Sequence, residues 1–152
     1  MKYIISIIII IVVALLLFKI PKRMKKIETI KELTFSYTVG YAMNADVSYK
    51  IECQENCTIT IKPNGIPLEE AKTYQLSKKQ ITEIIAILNK YKVSSWDGFN
   101  KSDKNVLDGN SFHFYLKENN DSSISASGYM RYPKDYRTVK SELEAIFDKI
   151  EK

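Results

Sequence analysis

The sequence predicts an α+β protein in which an N-terminal transmembrane helix precedes one small domain, an antiparallel sheet packed with two helices. Three observations lead to this fold class. The chain of 152 residues begins with a long apolar run, two later segments have the symmetry of β-hairpins, and two others have apolar residues at helical spacing. Strands followed by helix, hairpin and helix are typical of an antiparallel sheet covered by helices.

The apolar run covers residues 3–18 and reads YIISIIIIIVVALLLF, in which Ser6 is the only clearly polar side chain. In lipid such a segment must satisfy its own backbone hydrogen bonds, which favours a helix. The stretch KIPKRMKK that follows contains none of the small residues that signal peptidase needs at a cleavage site, so we expect an uncleaved signal-anchor. Residues 1–20 are the predicted single-pass transmembrane anchor, and residues 3–20 are expected to contact the bilayer. A cleaved signal peptide is the alternative.

Positive charge is concentrated near the N-terminus. Residues 1–31 contain seven Lys/Arg and one Glu, whereas the rest of the chain contains sixteen Lys/Arg and seventeen Asp/Glu. The basic excess therefore lies beside the apolar run, where it would attract anionic lipid headgroups. The rest of the chain is nearly neutral, which argues against nucleic acid as a partner. We assign residues 21–32 to a basic juxtamembrane linker and residues 33–152 to one α+β soluble domain, since about 120 residues suffice for one core.

The first hairpin has a register that the sequence predicts. Residues 33–41 alternate apolar and polar side chains as in a half-buried strand, and the segment DVSYKIECQENCTITIKP then folds about Glu55. The expected pairs are Cys53 with Cys57, Ile51 with Ile59 and Tyr49 with Ile61. Opposed strand residues lie within disulfide range, so Cys53 and Cys57 form a possible disulfide, with a reduced pair as the alternative. Their spacing lacks the Cys-x-x-Cys redox signature, and no His is near enough to complete a zinc site.

The predicted orientation of the domain depends on two conflicting signals. Lys and Arg are more numerous after the apolar run than before it, which by the positive-inside rule favours a cytoplasmic domain. A disulfide between Cys53 and Cys57 requires an oxidising compartment. We expect a cell-membrane protein with an extracytoplasmic domain, and a cytoplasmic domain is the alternative.

The second half of the chain predicts two helices and a second hairpin. Ser77 and Gln80 form a capping box before Ile81, Ile84, Ile85 and Leu88 at helical spacing. Residues 111–130 form a hairpin around a loop at residues 119–121, with Leu116 opposite Ile124 and Phe114 opposite Ala126. The last helix is predicted with Pro133 in its first turn, and its apolar residues recur at steps of three and four.

The segment between these elements, WDGFNKSDKNVLDGN at residues 96–110, is the candidate structural or contact loop: Trp96, Asp97, Gly98, Phe99, Asp108 and Gly109. Each Asp-Gly pair predicts a tight turn with Gly at positive φ. The acidic spacing does not match an EF-hand, and we predict neither a metal nor a cofactor. Trp96 is expected in the core, with a partner contact as the alternative.

The order W-D-G-F, K-S-D-K-N-V-L-D-G, F-x-F, A-S-G-Y and Y-P-K-D-Y resembles an uncharacterised family of small bacterial proteins that are often secreted, lipid-anchored or membrane-tethered. The similarity runs from about residue 33 to the end and is densest at residues 96–136. It implies an extracytoplasmic bacterial domain of unknown function and supplies no catalytic residues. The chain lacks the lipid-attachment Cys of the lipid-anchored members.

The residues that could support catalysis are few. His113 is the sole His, and the hairpin register places it on the polar face opposite Ser127. No G-x-S-x-G elbow accompanies these residues. We therefore expect no enzyme but a membrane-tethered binding or envelope-interaction module of unknown ligand. The alternative is a small hydrolase that uses His113 with a nearby Ser.

Overall fold

The structure is a computed structural model that describes residues 25–39 and 45–150. Its seven strands are β1 (Glu32–Thr38), β2 (Asp46–Cys53), β3 (Cys57–Lys62), β4 (Lys72–Leu76), β5 (Phe99–Ser102), β6 (Ser111–Lys117) and β7 (Ser123–Tyr129). The α-helices are α1 (Lys78–Lys90) and α2 (Tyr136–Phe147), and short 3-10 helices occur at Leu68–Glu70 and Val93–Trp96. The strands form one sheet in the order β4-β3-β2-β1-β6-β7-β5.

Both predicted hairpin registers are confirmed. In the first, Cys53 pairs with Cys57 and Ile51 with Ile59. In the second, Leu116 pairs with Ile124, Phe114 with Ala126 and Phe112 with Gly128. A slip of one residue would turn every buried side chain to the other face, so the apolar pattern together with the length of the loop selects these registers.

The predicted antiparallel sheet is wrong, because β5 pairs with β7 in parallel and the sheet is mixed. The chain passes from β5 through the loop at residues 103–110 into β6, which runs in the opposite direction. Strand β7 is antiparallel to β6 and lies between β6 and β5, so β7 and β5 must run the same way. The sequence FNKS of β5 has little of the apolar alternation that indicates a strand, and we had assigned it to a loop.

The predicted transmembrane helix is the second correction. Within residues 25–39 and 45–150, no helix is both long enough and apolar enough to cross a membrane. The longer one, α1, has 13 residues, which extend about 20 Å against a hydrocarbon core of about 30 Å. The predicted anchor, residues 1–20, lies outside the described residues.

Both helices cover the same face of the sheet. On that face Leu33, Phe35, Phe114 and Leu116 are buried in one core with Ile84 and Leu88 of α1 and Leu143 and Phe147 of α2. The centroids of the Phe35 and Tyr136 rings are 6.0 Å apart, and those of Tyr49 and Phe147 are 4.5 Å apart. The intervening strand residues point away from both helices, and we call the surface that they form the open face.

Residues 25–31, which we had assigned to a linker, pack against the domain. Ile27 and Ile30 are buried, with exposed fractions of 1% and 4%. The side-chain amide of Asn89 on α1 accepts a hydrogen bond from the Ile27 N–H at 2.9 Å and donates one to the Ile27 carbonyl at 2.7 Å. The Lys31 N–H donates to the Lys117 carbonyl, so this N-terminal segment extends the sheet region rather than separating from it.

Candidate functional site

Cys53 and Cys57 are joined in a disulfide across the end of the first hairpin. Their Cα atoms are 4.1 Å apart, and both residues are partly buried against the core. The Cys53 N–H also donates to the Lys31 carbonyl at 2.9 Å. The bridge therefore fixes the hairpin end against which the N-terminal segment lies, and neither sulfur is a free thiol.

Trp96 lies in the core. Its exposed fraction is 1%, and its ring meets Phe114 edge-on with centroids 5.4 Å apart. The indole Nε1–H donates to the Lys134 carbonyl at 3.1 Å, so its polar atom is satisfied without solvent. This packing leaves the indole no surface for a partner.

The residues after Trp96 attach the chain to strand β7. The Gly98 N–H donates to the Ser125 carbonyl at 2.9 Å, and the Asp97 carboxylate accepts from the Ser125 N–H at 3.2 Å. Gly98 has a φ of +77°, as its predicted turn requires. Phe99 is half-buried and packs against Phe112 with ring centroids 6.2 Å apart.

The second Asp-Gly pair has a different geometry. Gly109 does not have a positive φ, so that part of the turn prediction is wrong. A Cβ on Gly109 would instead collide with the Met130 side chain, 2.9 Å from Sδ, which explains glycine by close packing. Asp108 is exposed in the same loop, and Leu107 is 95% exposed.

His113 lies on the open face between Ser36 of β1 and Ser127 of β7, as the predicted register requires. The Ser127 hydroxyl donates to the side-chain oxygen of Asn100 at 3.4 Å rather than to the imidazole. Within residues 25–39 and 45–150, no three His, Cys, Asp or Glu residues are grouped so as to hold a metal ion.

Strand register places several rows of side chains on the open face. The row beside the disulfide is Gln75, Thr58, Glu52, Glu32, Lys117 and Ser123. Two others cross the middle of the face, and we call them the first and second rows. The first row is Thr73, Thr60, Lys50, Thr34, Tyr115 and Ser125. The second is Lys62, Ser48, Ser36, His113, Ser127 and Asn100. Neighbouring side chains within a row are separated by the strand spacing of about 4.8 Å, and the rows by roughly 7 Å.

The two lysines of these rows are paired with carboxylates. The Lys50 ammonium is 2.9 Å from the Glu52 carboxylate, and the buried Lys62 ammonium is 2.9 Å from that of Asp46. The other members of the two rows are hydroxyl, amide, phenol and imidazole side chains, although 27% of the whole chain is charged. The open face is therefore a polar surface with little net charge.

Serine is frequent in these rows although it has no special preference for strands, which favour β-branched and aromatic residues. Ser36, Ser48, Ser125 and Ser127 each place one short side chain on the surface. Short side chains leave a strand backbone accessible and the surface flat. Of these serines, the sequence indicated only Ser127, opposite His113.

A hydrogen-bond cluster lies on the other side of the sheet, where α2 crosses β1. The Tyr37 hydroxyl donates to the Glu144 carboxylate, and the Lys140 ammonium lies 4.0 Å from the centre of the Tyr37 ring. Burial, followed by the hydrogen bond to Glu144, raises the pKa of Tyr37 far above its ordinary value. The phenol stays neutral and holds α2 on the sheet, a role that residue spacing in the sequence did not indicate.

No protein-family model matches this chain, and no curated protein matches it. The resemblance to an uncharacterised bacterial family stays a prediction.

Proposed function

We propose that the protein is an extracytoplasmic binding module whose open face contacts a polar, uncharged partner surface. The observation that carries this proposal is the pair of hydroxyl-rich rows, which cross six strands each and whose only charged members, Lys50 and Lys62, are paired with carboxylates. A sheet with one solvated face ordinarily displays mixed polar residues. The central strand β1 contributes only the short side chains of Thr34 and Ser36 to these rows.

The disulfide supports the extracytoplasmic part of the proposal, since such bonds persist in oxidising compartments. A C-terminal alkaline phosphatase fusion should be active and a green fluorescent protein fusion dark. The opposite pattern would place the domain in the cytoplasm. Contact of residues 3–20 with the bilayer stays a prediction, and retention of the protein in the membrane fraction after carbonate washing tests it.

Binding through the open face can be tested by photo-crosslinking in the producing cell. A benzophenone amino acid in place of Tyr115 lies in the first row, and the same amino acid in place of the exposed Glu83 on α1 is the matched control. We expect a discrete crosslinked species from position 115 that is absent from position 83. Ser36→Arg, which introduces a long charged side chain beside His113, should abolish that species while Ala86→Arg on α1 should not. Equal crosslinking from positions 115 and 83 would contradict the proposal.

The hydrolase alternative needs His113 to act as a base for a neighbouring serine. The structure brings His113 opposite Ser127, but the hydroxyl of Ser127 bonds to Asn100, and the Asp97 carboxylate bonds to the Ser125 N–H. An activated serine requires a base within hydrogen-bond reach and a third group that orients the base. We favour binding over hydrolysis. A hydrolytic activity that His113→Ala abolishes without lowering the melting temperature would reverse this preference.

A further inference from the structure

The connection between β3 and β4 begins with a tight turn, Pro63-Asn64-Gly65-Ile66. The Ile66 N–H donates to the Pro63 carbonyl at 3.3 Å, and Gly65 has a φ of +80°. Asn64 and Gly65 are both exposed. The turn lies outside both rows of the open face, so an inference about it does not depend on the proposed function.

An asparagine followed by glycine has a chemical reactivity that other asparagines have to a much smaller degree. The backbone nitrogen of the following residue can attack the side-chain carbonyl carbon of asparagine and close a five-membered succinimide ring. A side chain on the following residue hinders this approach, and glycine has none. Asn64 is the only one of the nine asparagines in the chain that precedes a glycine.

The structure leaves both reacting groups of this turn accessible. Among the described residues, neither the Asn64 side-chain amide nor the Gly65 N–H has a hydrogen-bond partner. A Cβ added to Gly65 would meet no atom within 4 Å, so the space around the glycine is open. The peptide can therefore rotate to bring the Gly65 nitrogen to Asn64 Cγ, at the cost of one hydrogen bond across an exposed turn and of no core contact.

Similar sites elsewhere in the described chain each lack one of these conditions. The Gly98 N–H, which follows Asp97, donates to the Ser125 carbonyl at 2.9 Å, so its nitrogen is held away from attack. Both polar atoms of the Asn89 amide are bonded to the Ile27 backbone. Asn105 is exposed like Asn64, but β-branched Val106 follows it.

We propose that Asn64 is a site of spontaneous deamidation, which converts it to aspartate and isoaspartate. The Gly65 nitrogen gives its proton to hydroxide and bonds to Asn64 Cγ. The bond from Cγ to Nδ2 then breaks, and ammonia leaves with a proton from water. A second water opens the succinimide at either carbonyl, so the net reaction consumes one water and releases one ammonia. The product adds a carboxylate to the surface opening that Asn64 and Asp148 both line.

Peptide mapping by mass spectrometry tests this proposal on the full-length chain in lipid nanodiscs, incubated in isotopically labelled water at neutral and mildly alkaline pH. We expect Asn64 to become aspartate and isoaspartate that carry one labelled oxygen. The conversion should be faster at the higher pH, because the attacking nitrogen must lose its proton. Asn105 is the internal control and should keep its amide. Conversion of Asn64 that is absent, or no faster than that of Asn105, would overturn the proposal.

Variants in the same connection test whether the Gly65 nitrogen is the attacking group. Gly65→Asn keeps a residue that tolerates positive φ but adds a side chain, and it should prevent detectable conversion of Asn64 over the same time. Leu68→Ala, at an exposed position, should leave the conversion unchanged. Equal conversion in the Gly65→Asn and unmodified proteins would overturn the mechanism.

An Asn64→Gln variant keeps the test valid if Gly65→Asn does not fold. Its longer side chain would have to close a six-membered ring, so ion-exchange chromatography of the incubated variant should lack the acidic species that accumulates in the unmodified protein. An acidic species that forms equally in Asn64→Gln would place the modification at another residue.

Discussion

The burial of Trp96 shows that it has a structural role and not a partner-contact role. The sequence allowed two roles for Trp96, a core residue or a partner contact. In the structure its indole is buried and hydrogen-bonded. Sequence composition favoured the core role, but only the partners of the ring, Phe114 and Tyr136, explain why the position needs this side chain.

We predict that Trp96→Ala lowers the free energy of unfolding by about 3–5 kcal/mol, since it removes a fully buried aromatic side chain and leaves a cavity. Trp96→Phe keeps a ring against Phe114 and loses the hydrogen bond to Lys134, so its cost should be clearly smaller. Urea unfolding measured by circular dichroism compares the two variants. A Trp96→Ala protein as stable as the unmodified chain would show that the indole is not part of the core.

Glu118 is a buried carboxylate that the sequence did not single out. It accepts from the Ser122 hydroxyl at 2.6 Å and the Glu28 N–H at 2.8 Å, and its carboxylate lies 3.2 Å from the Lys25 ammonium. Burial alone would raise the pKa of Glu118, but these hydrogen bonds, led by that from Ser122, lower it below the ordinary value. Glu118 thus joins the N-terminal segment to the second hairpin while ionised.

The sign of the pH dependence follows from that lowered pKa. A carboxyl group whose pKa is lower in the folded than in the unfolded state stabilises the fold at pH values above its unfolded-state pKa, which is about 4.3 for Glu. This stabilisation is lost as the pH falls through the folded-state pKa. We predict that Glu118→Gln costs about 1–3 kcal/mol at pH 7 and that the difference from the unmodified chain shrinks in acid below about pH 4. Glu83→Gln on the exposed face of α1 is the control and should change neither quantity. A Glu118→Gln cost that is the same at pH 7 and in acid would rule out an ionised role.

At the level of elements, periodic segments were predicted well and irregular ones were not. The hairpin registers follow from alternation, and the capping box at Ser77 and Gln80 is present as expected. Helix α2 begins only at Tyr136, after Asp135 with a φ of +60°, so Pro133 lies in a preceding turn instead of in the first helical turn. Strand β5 was missed because its stability comes from pairing with β7, which its own four residues do not encode.

Ile27 and Ile30 are buried although the segment around them was predicted as a basic linker. Residues 25–31 contain several lysines, and their charge suggested a linker, but Ile27 and Ile30 fill a space between α1 and the second hairpin. Two isolated apolar residues among basic ones have no period, so the pattern in the sequence could not reveal their burial.

We predict that a chain starting at residue 25 folds and that one starting at residue 32 does not. Burial of two isoleucines contributes about 3–6 kcal/mol, which is comparable to the whole stability of a small domain. Chemical-shift dispersion in a proton–nitrogen correlation spectrum distinguishes the two chains. Equal dispersion and equal melting temperatures would show that the N-terminal segment is dispensable.

In the whole molecule, the two helices cover one face of the sheet and leave the other face exposed. The covered face has the aromatic and aliphatic residues that any such fold requires. The open face instead combines short hydroxyl side chains with His113 and Tyr115, and the lysines Lys50 and Lys62 in its rows are paired with carboxylates. The sequence indicated that these strand positions were polar, but the order of the strands, which places β6 between β1 and β7, was needed to see them as one surface.

The central claim is that a partner covers the open face in the cell. Hydroxyl-radical footprinting tests it most directly, with the oxidation of His113 and Tyr115 compared between intact cells and the purified full-length protein. The account predicts that both residues react more slowly in cells, whereas Leu107, which is 95% exposed on the loop before β6, reacts equally in both. Equal reactivity of His113 and Tyr115 in the two settings, with Leu107 unchanged, would contradict it.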